Sequence, residues 1–220
     1  MRIQVQFGSK ELDAIGGAEG QQLVDQVHGK YYQANQKYSV FSSSCTPLGE
    51  DIPIYTSVTP VGNVLWNPAG SGVKVVLVKY QAARASGTAA VFSAGLMARN
   101  GCGSVIGTGQ QITAFAETTP INGQLGLVNS IAGSGGGPTS RVKSSRAGTC
   151  TITAGVAAEW VETLGGTGIE ADATTNGISL INHDFDGRIE VYPGTLVWVA
   201  ATLASVANYA QTLSWYEIAI

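Results

Sequence analysis

Few residues of this chain stand where they could do chemistry together, and the densest grouping is His183-Asp184-Phe185-Asp186. On an extended chain, side chains two apart share a side, so Asp184 and Asp186 could offer hard oxygen ligands to one cation. The same residues, followed by Gly187, also make an ordinary turn ahead of a strand beginning at Ile189. The turn is the preferred reading, and Asp184 and Asp186 are only weak candidates for a metal site. Glu159 and Glu162 could act as paired carboxylates only on a helix. Cys45, Cys102 and Cys150 are odd in number, widely spaced and without metal-ligand spacing. Free thiols in a reducing compartment are expected of them, with one internal disulfide as the alternative. There is no Gly-x-Ser-x-Gly elbow, no cysteine paired by context with His28 or His183, and no phosphate loop ending in Lys-Ser/Thr. No catalytic residue, no metal and no cofactor are expected, and the chain does not read as an enzyme.

Tryptophans could instead stack on sugars. Trp160, Trp198 and Trp215 lie in runs that read as strands, where an indole belongs to a core. Trp66, beside a turn, is expected near a core edge and is the strongest candidate for an exception.

Short strands must position all of these residues. The chain is organised around its last stretch, Asp186 to Ile220. Pro193-Gly194 supplies a turn between β-branched and aromatic runs, and a further strand covers Tyr209 to Ile218. In that strand Leu213, Trp215 and Glu217 fall on one face, and Thr212, Ser214, Tyr216 and Ile218 on the other. Neither face is wholly polar, so both should be covered, one by a second sheet and one by a neighbouring subunit. Earlier strands are expected at Tyr38–Phe41, Val61–Trp66, Val73–Tyr80, Ala89–Met97, Ile112–Phe115, Val156–Leu164 and Ile178–Ile181. Pro53 demotes the Ile52–Tyr55 piece to an edge. Asn67-Pro-Ala-Gly-Ser-Gly72 reads as the turn of a hairpin. Gly133–Pro138 reads as an exposed loop tip, and Arg141, Lys143 and Arg146 as a solvated face.

Roughly eight to ten short antiparallel strands separated by turns define an all-β, jelly-roll-like β-sandwich over residues 37–220. Residues 1–36 lack a sustained period and read as an irregular N-terminal arm, with a short helix over Glu19–Val27. Charged residues are only 12% of the chain and its net charge is −3, which excludes an electrostatic footprint for nucleic acid. So little charge also suits a surface covered by other chains. No run is long and apolar enough to span a membrane, and the first residues lack the apolar core of a signal peptide.

Asp186-Gly187 with Val191-Tyr192-Pro193-Gly194 resembles part of the cupin jelly-roll motif, but the His-x-His pair and the Glu of that family's metal site are missing. Leu65-Trp66-Asn67-Pro68-Ala69-Gly70-Ser71-Gly72, Asp184-Phe185-Asp186-Gly187, Pro193-Gly194-Thr195 and Trp215-Tyr216-Glu217-Ile218 together resemble small β-rich virion proteins of tailed bacteriophages. The resemblance runs from about Lys30 to the end. It implies a subunit, commonly trimeric, that decorates or cements a capsid in a virion assembled in the host cytoplasm, with the major capsid protein or other virion proteins as partners. Tyr31, Tyr32, Trp66 and Tyr216 are the expected interface residues, and the arm is expected to touch the shell. The alternatives are a head-fibre or tail component that binds host glycans, and a cellular carbohydrate-binding sandwich.

Overall fold

The computed structural model describes residues 3–7, 10–14, 39–45, 47–59, 63–87, 92–123, 139–145, 150–153, 158–167, 180–204 and 207–220. The chain divides into two compact units, Met1–Gln33 and Ala34–Ile220. In the first, β1 (Ile3–Phe7) pairs antiparallel with β2 (Lys10–Ala14), with Phe7 opposite Lys10. The arm expected to be irregular therefore contains a hairpin. Its signal was the alternation of Ile3, Val5 and Phe7 with glutamines, ahead of Gly8-Ser9. The helix expected over Glu19–Val27 lies outside the described residues.

The second unit is an all-β sandwich with no helix among the described residues. Its principal strands are β3 (Val40–Ser44), β4 (Val64–Asn67), β5 (Val73–Ser86), β6 (Phe92–Arg99), β11 (Glu159–Thr167), β12 (Leu180–Asp184), β14 (Thr195–Ala201) and β15 (Asn208–Ala219). One sheet runs in the order β12-β5-β15-β3-β8, where β8 is Ile121–Asn122, and β13 (Glu190–Val191) also pairs with β5. The other runs β11-β6-β14-β4-β9, where β9 is Lys143–Ser145. All these pairs are antiparallel, and they nest: β3 lies beside β15, β4 beside β14, β5 beside β12 and β6 beside β11.

The core between the sheets is built from the inward residues of both. Tyr209, Leu213 and Trp215 of β15 meet Leu65, Phe92, Leu96, Val197 and Val199. Phe41 stacks on Trp215 at 6.2 Å, and Phe92 meets Tyr209 edge to face at 5.7 Å. Each large aromatic removes ~150–250 Å² from water, roughly 4–6 kcal/mol before ordering costs. Gln211, also inward, is buried only because its amide is satisfied. Tyr80 Oη donates to Gln211 Oε1 (2.9 Å), and Gln211 Nε2 donates to the Glu50 carbonyl (3.1 Å). Burial holds the Tyr80 phenol well above its ordinary pKa.

A second core lies on the opposite side of the β11-β6-β14-β4-β9 sheet. The long β6–β11 connection supplies β7 (Ile112–Phe115) and β10 (Cys150–Ile152), which pair with each other. Ile112, Cys150 and Ile152 cover Val64, Trp66, Met97, Leu196, Trp198 and Ala200. The middle strands of this sheet, β6, β14 and β4, are therefore buried on both faces.

Two connections read as tight strand-turn-strand units prove to be crossings between sheets. β4 and β5 flank Asn67–Gly72 but lie in opposite sheets, and so do β13 and β14 around Pro193-Gly194. Asn67 holds both crossings. Its Nδ2 donates to the Val73 and Val191 carbonyls, each at 2.9 Å, and its own carbonyl accepts the Gly194 N–H at 2.7 Å. Gly70, Gly72 and Gly194 take positive φ there. The turn residues were read correctly, but turn chemistry says only that the chain changes direction. Which sheet receives the next strand depends on pairing far away in sequence.

Candidate interaction surface

One broad face of the sandwich has no covering layer among the described residues of the second unit: the outer side of the β12-β5-β15-β3-β8 sheet. β15 sets it, because its alternation sends Ala210, Thr212, Ser214 and Tyr216 outward while Tyr209, Gln211, Leu213 and Trp215 go in. Register places Gln81 and Ser44 beside Thr212, and Lys79 and Ser42 beside Ser214. Val76 and Val40 flank Tyr216. On the β12 side, Asp184, Asn182 and Leu180 continue the same rows.

The centre of this face is thus hydroxyl and amide, with Ser44 Oγ and Thr212 Oγ1 hydrogen-bonded at 2.9 Å. The charged residues that register puts on it are Lys74, Lys79, Asp184 and Glu190, which cancel. Lys74 and Glu190 form an ion pair at 2.7 Å. Hydrogen bonding to Lys74 lowers the Glu190 carboxyl below its ordinary pKa, and the same bond raises the Lys74 ammonium. Tyr192, 52% exposed, donates to Glu190 Oε2 (3.0 Å) and sits beneath the Lys74 ammonium. At this corner Ile218 and Ile220 are also exposed.

The residues named from sequence fare differently. Tyr216 lies on this face and is partly exposed. Tyr31 and Tyr32 lie outside the described residues. Trp66 is corrected: it is 0% exposed, because β4 is an interior strand flanked by β9 and β14, and Phe115 of β7 packs on the indole at 5.7 Å. Its expected place near a core edge, as an interface residue, assumed a hairpin that the chain does not make. Trp160 is instead the least buried of the four tryptophans. The loop tip at Gly133–Pro138 lies outside the described residues.

Asp184 and Asp186 belong to a turn. Asp184 Oδ1 accepts the Asp186 N–H at 2.8 Å, and the Arg188 N–H returns to the Phe185 carbonyl at 3.0 Å. Asp186 and Gly187 both take positive φ, 53° and 73°, as a type I′ turn requires. No group of three or more potential metal ligands occurs among the described residues. Glu159 and Glu162 stand on a strand rather than a helix, which removes the condition for pairing them. None of the three cysteines is in a disulfide, and all are buried.

A cluster that spacing could not reveal joins Glu162 of β11 to His183 and Arg188. Glu162 Oε1 pairs with the Arg188 guanidinium and lies 3.3 Å from His183 Nε2, while Phe185 packs edge-on beneath the imidazole at 5.0 Å. It ties the edge strands of the two sheets together. Its contacts among the described residues are those of a clasp between β11 and the β12–Arg188 segment.

No family model, curated protein or solved structure matches the chain.

Proposed function

We propose that this chain is a non-enzymatic virion protein, a jelly-roll subunit that decorates or cements a phage capsid by packing its open sheet face against a second copy of itself in a trimer. The jelly-roll reading is supported by the nesting of β3-β4-β5-β6 against β15-β14-β12-β11 across two sheets. That architecture serves capsids and lectins alike, so the surface rather than the fold must choose between them.

The observation that carries the choice is the asymmetry of the sandwich. The middle strands of one sheet are buried on both faces, while the other sheet leaves a charge-balanced outer face whose β15 side chains are only half-buried. β5 and β15 run 14 and 12 residues and β12, β3 and β8 run 5, 5 and 2, which at ~4.8 Å between strands and ~3.3 Å per residue gives a patch of roughly 600 Å². That is the lower end of what each partner gives to a stable interface. Balanced charge lets copies approach without repulsion, and depleted charge is the compositional mark of an interface centre.

The test places like charges in the middle of the patch. With Thr212→Lys and Ser214→Lys together, the fold should persist, since both side chains point outward. Light scattering should find trimers for the natural chain and monomers for the variant, and only the natural chain should bind expanded capsids. A natural chain that stays monomeric at micromolar concentration, or a variant that still forms trimers and decorates particles, would refute the proposal. The hydroxyl and amide centre with Tyr216 and Tyr192 beside it favours a second reading, a fibre or tail component binding host glycans. Few copies per particle together with glycan-array binding would select it.

A further inference from the structure

Arg99 ends β6 with its side chain on the outer side of the doubly covered sheet, opposite Leu196 of β14. It is 1% exposed, among the largest fully buried side chains of the protein. Nη1 donates to the Thr153 carbonyl at 3.0 Å, just beyond β10. Nε and Nη2 are buried and meet no acceptor among the described residues. The ion pairs among those residues involve Lys74, Lys143, His183 and Arg188, and Arg99 enters none of them. A guanidinium keeps its charge at any accessible pH, so it cannot escape burial by losing a proton. The nearby thiols do not neutralise it. Burial raises both Cys102 and Cys150, the latter to about 12, so each stays protonated at neutral pH.

We propose that Arg99 is the base of a small oxyanion site between the β6–β14 surface and the β7–β10 pair, and that its ligand is a free ion of the phosphate or sulfate class. Which nitrogens are left over decides the chemistry. Nε–H and Nη2–H share one edge of the guanidinium and point in parallel, the fork that matches two oxygens of one oxyanion. Nη1, on the far side, is already taken. A carboxylate carried by a docking protein does not reach a group this deeply covered, so the occupant must be small and free. It can enter because the cover is slight: β7 and β10 are four and three residues long, and their register shifts between Thr151 and Ile152. Once bound, the ion would fasten the end of β6 to the layer above it. The site is independent of the proposed function, since it lies on the opposite side of the sandwich from the open face.

The experiment is equilibrium dialysis of the full chain against labelled phosphate and, separately, labelled sulfate, with thermal melts at constant ionic strength. The expected result is saturable binding of one ion per chain, with a melting temperature that rises and levels off over the same concentrations. Arg99→Met should abolish both effects. Arg99→Lys, a point charge without the fork, should weaken binding about tenfold or more. Should Arg99→Met fail to fold, the Lys variant decides. No ion bound by the natural chain, or equal binding by the natural chain and the Lys variant, would overturn the site.

Discussion

Replacing Cys150 by Ala should destabilise the protein at neutral pH and stabilise it in alkali. Cys150 is fully buried in the second core, beside Ile112, Ile152 and Trp198. Burial raises its thiol most, the Cys102 thiol adds to the rise and the Arg99 charge opposes it, giving about 12 against an ordinary 9.0. In the unfolded chain the thiol loses its proton as pH passes 9.0, while in the folded chain it stays protonated until about 12. Between those values the unfolded state binds fewer protons, so stability falls as pH rises. The slope is about 1.4 kcal/mol per pH unit, roughly 4 kcal/mol over the whole window. At neutral pH that loss is absent, and Ala forfeits only the sulfur's packing, about 1 kcal/mol. The two stability curves should therefore cross near about pH 10. Tyr80 and Cys102, whose pKa values are also raised by burial, steepen the alkaline loss in both proteins and largely cancel in the difference. Urea unfolding under reducing conditions, followed by tryptophan fluorescence, measures it. A gap between the proteins that does not change with pH would refute the reasoning, because it would mean that the thiol titrates alike in both states.

Two further substitutions probe other parts of the fold. A Cβ at Gly95 would stand 2.0 Å from Cζ2 of Trp160, whose indole lies flat on β6, so Gly95→Ala should expel the ring. It should cost ~1–3 kcal/mol and shift tryptophan emission to the red; the cost should vanish in a Trp160→Ala background, and unchanged emission would contradict this packing. Asp51 has its carboxyl raised above 3.8 by burial, against the opposing hydrogen bond from the Ile52 N–H. Its Oδ1 is buried without a partner among the described residues. The folded state thus holds this proton more tightly, the ionised form carries a penalty above the folded pKa, and acidification through the carboxylate range removes it. Asp51→Asn should be more stable than the natural chain at neutral pH, and that advantage should shrink as pH falls through the carboxylate range in denaturant titrations; a difference that does not change with pH would exclude this role.

The sequence made the strands legible wherever side-chain type and local period were enough. β7 was read at its full length, and β5 and β15 were located from their β-branched and aromatic runs. β3 ran further than expected, through Ser44, because Ser43 and Ser44 find side-chain partners in Asn63 and Thr212 that no local rule could supply. The Ile52–Tyr55 piece reduces to a single parallel bridge from Ile54 to Ala201, as Pro53 foreshadowed. Sheet membership was not legible. Both crossings that Asn67 secures looked like hairpins, since the same Pro-Gly and Asn-Pro chemistry serves either. The Glu162–His183–Arg188 clasp was hidden for a related reason, as its members come from strands of different sheets.

One contrast within the sequence does point to the open face. β4 reads Val-Leu-Trp and β14 reads Leu-Val-Trp-Val-Ala-Ala, unbroken apolar runs whose alternate residues enter different cores. A strand must be apolar on both sides when both sides are covered. β15 and β3 alternate instead, with Leu213, Trp215 and Phe41 inward and Thr212, Ser214 and Ser42 outward. Their outer side chains are short and uncharged, whereas an antiparallel face kept permanently in water is free to carry Lys and Glu. Water alone does not demand serine and threonine along two neighbouring rows. Under the trimer proposed above, short hydroxyls would lie low enough to admit a second surface and could hydrogen-bond to it. The same restraint explains why the lysine pair at positions 212 and 214 is the decisive perturbation. It leaves the inward side chains untouched and gives up only the Thr212–Ser44 hydrogen bond, while it removes the short, uncharged character of the face.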